Sequence, residues 1–154
     1  MTEVLFYHLK GQTPEQVLPA LLQKSLERGW RVVVQASSDE RVEALDAHLW
    51  TWRDDSFLPH GTWRDAEAAA QPIVLTAGDE NPNGATVRFL VDGANLAANL
   101  AEKATAYERV VMLFDGDDPD AVATARTRWT EAKAAGAEVT YWRADENRRW
   151  QRER

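Results

Sequence analysis

The sequence predicts an α/β fold with a mostly parallel central sheet, helices on both faces of the sheet, and a single domain. Short apolar runs such as RVVVQ, PIVLTA and RVVMLF recur along the chain and are typical of strands that are covered on both faces. Segments with apolar residues at helical spacing separate these runs. Strands that alternate with helices in this way form parallel sheets, and 154 residues are the size of one domain.

The N-terminal segment predicts a strand followed by a capped helix. The first strand is the apolar and aromatic run over Glu3–Leu9. Thr13 is a suitable N-cap for a helix over Pro14–Arg28, which has proline at its first position, and Gln16 completes a capping box. Gly29 ends this helix.

The middle of the chain predicts three strands and one helix. The run over Arg31–Gln35 is a short strand, and an amphipathic helix follows over Asp39–Trp50. The stretch Thr51–Gln71 is polar and irregular. Two further strands, Pro72–Ala77 and Thr86–Val91, are separated by the turn sequence NPNG.

The C-terminal half predicts two helices on either side of a strong apolar strand. An alanine-rich helix covers Leu96–Ala106, and the strand covers Arg109–Phe114. A long helix begins at Asp118 or Pro119 and ends near Ala135.

The last strand is predicted over Glu138–Trp142, so that residues 1–142 form the domain and residues 143–154 form a basic C-terminal extension. Trp150 and its basic neighbours favour a helical or a frayed segment. Residues 122–154 carry eight basic and five acidic side chains in a chain of net charge −7. This cationic end is either a solvated tail or a surface for an acidic partner.

Composition and motifs exclude several classes of function. The absence of cysteine excludes disulfides, thiolate zinc sites, iron–sulfur clusters and a cysteine nucleophile. The chain contains no GxGxxG, Walker, HExxH or GxSxG motif, and His8, His48 and His60 do not stand at metal-ligand spacing. We therefore expect no catalytic residue, cofactor or resident metal. The negative net charge argues against direct duplex binding, and the lack of a spanning apolar run or signal peptide favours the cytoplasm.

An acidic cluster follows the strand RVVMLF, at Asp115, Asp117, Asp118 and Asp120. Carboxylates at the carboxyl end of a parallel strand can hold Mg²⁺, so one hypothesis is a magnesium-dependent phosphoryl-transfer enzyme that uses Asp115 and Asp117. The other interpretation is that these residues form a turn and the negatively charged start of a helix.

One side of the long helix combines cations with an aromatic ring. Val122, Arg126, Trp129 and Lys133 are spaced by four, three and four residues and form one stripe, the cationic stripe. It suits a ligand with an aromatic group and a carboxylate, but the pattern alone favours Trp129 as core with solvated cations beside it. A neighbouring small-residue face that can lie close to the sheet consists of Ala121, Ala125, Ala132 and Ala135.

Large apolar side chains are concentrated in and next to the irregular polar stretch, at Trp50, Trp52, Phe57, Leu58 and Trp63. Leaving them all in water is unfavourable. Either the segment folds back over the sheet or it presents a hydrophobic surface to a partner.

A longer pattern runs through the same region. Leu45-Asp46, Leu49-Trp50 and the segment SFLPHG over residues 56–61 resemble the LDxxLW…SFxPH pattern of the chi subunit family of bacterial DNA polymerase III. The first strand with Phe6-Tyr7 and the helix with ARTRW near the end are similar as well. The resemblance covers residues 3–142.

The resemblance implies a three-layer, Rossmann-like fold without a bound nucleotide and without activity of its own. Members of that family are accessory subunits that pair with the psi subunit, which tethers them to the clamp loader. They also bind the acidic C-terminal tail of single-stranded-DNA-binding protein (SSB), which ends in a phenylalanine carboxylate. The implied protein is cytoplasmic and associated with the replisome and nucleoid, touches DNA only indirectly and has no membrane partner.

The resemblance also implies site residues. Arg126 corresponds to the carboxylate-binding arginine, and Trp129 stands where an aromatic residue lines the phenylalanine pocket. Lys133, Val139 and Tyr141 complete this SSB-tail site.

The docking site for psi or another clamp-loader component is implied at Trp50, Phe57, Leu58 and Pro59, which we call the docking surface. The chain departs from the family pattern in the tail site, because Val122 replaces a lysine and Thr130 replaces another basic residue. The tail site is therefore expected to be less cationic than in other members, unless Lys133 and the C-terminal arginines compensate.

Overall fold

The computed structural model describes residues 3–51, 59–78, 80–93, 107–144 and 150–153. The predicted helix Leu96–Ala106 lies outside these ranges. So do Trp52, Phe57 and Leu58 and much of the basic extension.

The described residues form one sheet of eight strands in the order β3-β4-β2-β5-β6-β1-β7-β8. Seven of the strands run parallel, and β8 pairs with β7 in the antiparallel direction. The predicted mostly parallel sheet is confirmed. The strands are β1 (Glu3–Leu9), β2 (Val32–Gln35), β3 (Gly61–Thr62), β4 (Ile73–Thr76), β5 (Val87–Leu90), β6 (Arg109–Asp115), β7 (Glu138–Ala144) and β8 (Trp150–Glu153).

Three described helices cover the two faces of this sheet: α1 (Pro14–Glu27), α2 (Asp39–Thr51) and α3 (Pro119–Ala134). Side chains of α1 and α2 pack on one face, and side chains of α3 pack on the other. The arrangement is the three-layer, Rossmann-like α/β fold that the sequence predicts.

The alternation of side chains along β1 divides the core into two clusters. Leu5 packs with Leu18 and Leu22 of α1, whereas Val4 and Phe6 face α3. Strands with both faces covered must be apolar throughout, which explains the unbroken runs of valine, leucine and isoleucine in the sequence.

The capping box of α1 is present as predicted. The Thr13 hydroxyl accepts the Gln16 backbone N–H at 3.4 Å, and the Gln16 side-chain oxygen accepts the Thr13 N–H at 2.9 Å. These two bonds satisfy donors that the first helical turn cannot satisfy itself.

Two strands lie where the sequence predicts none. The short strand β3 and a 3₁₀ turn at Ala68–Ala70 lie within the stretch predicted to be irregular. Residues Trp150–Glu153 form β8 rather than the helical or frayed segment that the pattern favours. The Trp150 ring stacks on Tyr7 with centroids 4.6 Å apart, so a contact with the first strand helps to hold the extension on the sheet.

A charged side chain lies completely inside the fold at β5. Arg88 has no exposed surface. Its guanidinium donates to the Gln35 side-chain oxygen at 2.7 Å and to the backbone oxygen of Glu80 at 2.9 Å, and it lies 2.9 Å from the Tyr107 hydroxyl. Through these hydrogen bonds Arg88 connects the turn after β4 to the neighbouring strand β2.

Within the described ranges, no helix has both the length and the apolar character needed to cross a membrane.

Candidate functional site

Helix α3 carries the predicted cationic stripe and is fixed to the sheet by small residues. The Asp118 side chain caps the helix by accepting the Asp120 backbone N–H at 3.0 Å. Ala125 and Ala132 are buried against the sheet, as predicted. Ala135 is the C-cap of α3 and is exposed. The buried small-residue face therefore ends at Ala132, one turn before the position that the sequence predicts.

Trp129 lies at the border between core and solvent. Its half-buried indole meets Phe6 edge-on at 5.3 Å and Tyr141 edge-on at 5.9 Å between ring centroids. The Lys133 ammonium lies 5.1 Å from the centroid of the same indole. The ring is therefore anchored on the core side and carries a cation beside it.

Strand β7 supplies the other side of this cluster. Val139 and Tyr141 project from the same face of β7, both are half-buried, and both pack against the cluster that contains Phe6. The Tyr141 hydroxyl lies 2.5 Å from Nδ1 of His8, and the His8 ring meets Phe114 edge-on at 5.1 Å. Sequence reasoning missed His8 as the support of Tyr141.

The two arginines of α3 differ in whether they form an ion pair. Arg126 is exposed and forms no ion pair with any residue in the described ranges. Arg128, by contrast, pairs with Glu131 at 3.2 Å and donates to the Gly93 backbone oxygen at 3.2 Å. Lys133 is exposed as well. Arg126 and Lys133 are therefore the cations of α3 that are available to an anionic ligand.

The two departures from the chi pattern have clear positions on α3. Val122 is half-buried against the core, and Thr130 is exposed and donates its hydroxyl to the backbone oxygen of Arg126 at 3.2 Å. Neither residue adds charge to the cationic stripe, so its positive charge rests on Arg126 and Lys133.

The structure places Trp129 beside both Lys133 and Tyr141, and Val139 packs against the same cluster. Arg126 lies one helical turn before Trp129, with its charge in solvent.

The docking surface is described at Trp50 and Pro59. Trp50 is 51% exposed, and its ring lies 4.5 Å from the ring of buried His60. Nε2 of His60 lies 3.0 Å from the carboxylate of Asp46, which joins the segment before β3 to α2. Sequence reasoning missed this support, although Asp46 and His60 are both part of the LDxxLW…PH pattern. Trp63 is not part of the docking surface; it is 41% exposed, and its indole N–H donates to the Asp39 carboxylate at 3.3 Å.

The acidic cluster after β6 is engaged with backbone amides. The Asp115 carboxylate accepts the Asp117 N–H at 2.9 Å, and the Asp117 carboxylate accepts the Gly11 N–H at 2.8 Å. The Asp118 carboxylate caps α3. A cavity of about 530 Å³ opens beside Asp115 and Asp118, but no three His, Asp or Glu side chains of the described residues are placed to hold a metal ion. These contacts favour the turn-and-cap interpretation.

The chain is similar to known proteins of one family. The family model described as DNA polymerase III chi subunit, HolC, matches residues 1–140. A curated protein of Rickettsia prowazekii, "Probable DNA polymerase III subunit chi", is 26% identical over 117 residues, which cover 75% of this chain and 71% of that protein. The "DNA polymerase III subunit chi" of Pseudomonas aeruginosa is 32% identical over 87 residues, covering 54% of this chain and 59% of that protein.

The family match extends from β1 into β7 and includes every helix that the structure describes. Together with the fold, it shows that the chain belongs to the DNA polymerase III chi subunit family.

Proposed function

We propose that this protein is a non-catalytic accessory subunit of the DNA polymerase III holoenzyme that binds the acidic C-terminal tail of SSB. The binding site is formed by Arg126, Trp129, Lys133, Val139 and Tyr141. The protein acts within the replisome and contacts single-stranded DNA through SSB rather than directly.

The observation that carries the proposal is the anchored indole of Trp129 with the Lys133 ammonium beside it, on a helix where Arg126 is exposed one turn earlier. A guanidinium can clamp a carboxylate through two parallel hydrogen bonds. The aromatic edge formed by Trp129 and Tyr141 offers apolar contact to a terminal phenyl ring. Acidic residues earlier in the tail are attracted by Lys133, because opposite charges steer association.

We expect Arg126→Gln to weaken binding of an acidic peptide that ends in phenylalanine by at least about tenfold, because a hydrogen-bonded charge pair contributes roughly 1.5–3 kcal/mol. Isothermal titration of the full chain with the peptide measures this change. A peptide that lacks the final phenylalanine should also lose measurable binding.

Arg128→Gln is the matched control, because it removes the same group from the same helix at a position already paired with Glu131. It should leave peptide affinity within about twofold of the unmodified chain, since its guanidinium is already engaged. Unchanged affinity in Arg126→Gln, or for the shortened peptide, contradicts the tail-binding mechanism.

We also propose that the docking surface around Trp50, Phe57, Leu58 and Pro59 joins the protein to psi or another clamp-loader component. Half-exposed Trp50, supported from beneath by His60, is the observation in favour, because large exposed aromatic residues on a rigid support act as binding hot spots.

Trp50→Ala should weaken binding of the purified clamp-loader partner by at least about tenfold, the effect of losing a hot-spot tryptophan. Size-exclusion chromatography and titration calorimetry of the complex measure the loss. Trp63→Ala is the control for a neighbouring exposed indole. Retention of full affinity in Trp50→Ala removes the docking surface from the proposal.

A further inference from the structure

A pocket lies on the face of the sheet opposite α3. A pocket of about 210 Å³ opens there beside the C-terminal half of α1, and we call it the cationic pocket. Its floor consists of aliphatic and aromatic side chains from the helix and three strands. These floor residues are Leu5, Leu21, Val87, Phe89 and Val111.

Besides Phe89 of the floor, three aromatic rings line the cationic pocket. Tyr7 and Trp150 stack with ring centroids 4.6 Å apart and an interplanar angle of 30°. Trp30 is half-buried and is contacted by two guanidinium groups, from Arg28 at 5.0 Å and from Arg109 at 5.1 Å. The walls are therefore apolar, and positive charge is fixed at the opening.

The positive charge of the cationic pocket is only partly compensated by the described residues. Arg109 has one carboxylate nearby, that of Glu3 at 3.8 Å. Lys24 and Arg28 are exposed and form no ion pair with a described residue. Such a local excess of cations, in a chain of net charge −7, attracts an anion.

The Tyr7 hydroxyl is suited to an anionic ligand. Burial raises the pKa of Tyr7 above its ordinary value, against the opposing effects of Arg109 and Arg28. A tyrosine hydroxyl is already protonated at physiological pH at its ordinary pKa, and the raised pKa of Tyr7 keeps it a hydrogen-bond donor.

The wall at Trp150 is a property of this chain beyond the family match. Trp150 belongs to β8, whereas the chi family model matches residues 1–140. The cationic pocket is thus completed by a strand that lies beyond the matched residues of this chain.

We infer that the cationic pocket binds a small aromatic or aliphatic carboxylate, with its apolar body on the floor and its carboxylate between Arg28 and Arg109. A nucleobase fits less well, because its polar ring edge would face a floor of apolar side chains. Ser25, the polar side chain beside this floor, already donates its hydroxyl to the Leu21 backbone oxygen at 2.9 Å.

The test uses 3-phenylpropionate, its neutral analogue 3-phenylpropionamide, and thymidine monophosphate as probes for the full ¹⁵N-labelled chain. We expect 3-phenylpropionate to bind with a Kd of about 1 mM or below, as for small ligands with efficient contacts. The indole N–H resonances of Trp30 and Trp150 should shift on binding. The amide should bind at least about tenfold more weakly, because it lacks the charge that the guanidinium groups recognise.

Two variants identify the site. Trp150→Ala removes a wall, and Arg28→Gln removes an exposed cation whose loss does not disturb the core. Each should weaken 3-phenylpropionate binding by at least about tenfold, while Arg126→Gln on α3 should not change it. Neither pocket variant should change binding of the SSB-tail peptide, so failure of this inference and failure of the proposed function are distinguishable.

Equal affinity for the amide and the carboxylate would overturn the inference, as would full binding in Arg28→Gln. Tighter binding of thymidine monophosphate than of 3-phenylpropionate would also overturn it and assign the pocket to nucleotides.

Discussion

Arg88→Met is expected to lower the free energy of unfolding by at least about 3 kcal/mol, because it removes the hydrogen bonds of a buried guanidinium to four oxygen atoms. The methionine side chain cannot donate, so the Gln35 side-chain oxygen and the backbone oxygens of Gly78 and Glu80 each lose the hydrogen bond from Arg88. Hydrogen bonds of a charged group contribute about 1.5–3 kcal/mol each. The lost bond to the Tyr107 hydroxyl adds to this cost.

Urea denaturation followed by circular dichroism measures the change in unfolding free energy. Arg88→Lys should also destabilise the protein, because an ammonium group cannot reproduce the planar arrangement of donors. Arg64→Met at an exposed position is the control and should change stability by no more than about 0.5 kcal/mol. A stable Arg88→Met variant would show that the buried guanidinium contributes nothing to the fold.

Gly116→Ala is expected to destabilise the protein by about 1–3 kcal/mol, the usual cost of overpacking. Gly116 follows β6, and its backbone N–H donates to the Leu9 backbone oxygen at 2.7 Å. A Cβ at this position would lie 2.6 Å from that oxygen and would overlap the His8 imidazole. Since His8 supports Tyr141, the substitution should also disturb the proposed tail site.

Thermal or urea unfolding gives the stability change, and side-chain NMR resonances of His8 and Tyr141 report on the site. Gly84→Ala is the matched control, because Gly84 has a φ of 64° and a Cβ added there would meet no described atom within 4 Å. Gly84→Ala adds only the cost of a left-handed backbone conformation for alanine. It should leave the His8 and Tyr141 resonances unchanged. Unchanged stability and unchanged resonances in Gly116→Ala would refute the argument from close packing.

The elements that sequence reasoning predicted well depend on neighbouring residues. The capping box at Thr13 and Gln16 is a four-residue signal, and the apolar runs at β2 and β6 report burial on both faces. Helical spacing was sufficient to place Trp129 and Lys133 on one side of α3, where they are in contact.

The features that sequence reasoning missed depend on residues far apart in the chain. His8 and Tyr141 are 133 positions apart, and the contact of Trp150 with Tyr7 joins the two ends of the described chain. Nothing local to TVRFLV shows that oxygen atoms from β2 and from the turn after β4 accept hydrogen bonds from Arg88. Such contacts are set by topology, which a local pattern does not contain.

The two outermost strands have a consequence for the solution behaviour of the protein. A long apolar strand at the border of a sheet offers unpaired amide and carbonyl groups to other molecules and promotes aggregation. Here one border is β3, which is only two residues long, and the other is β8, whose sequence WQRE is mostly polar or charged. β8 pairs with the longer, partly apolar β7. The extension therefore covers the edge of β7 and disfavours the addition of a strand from another molecule.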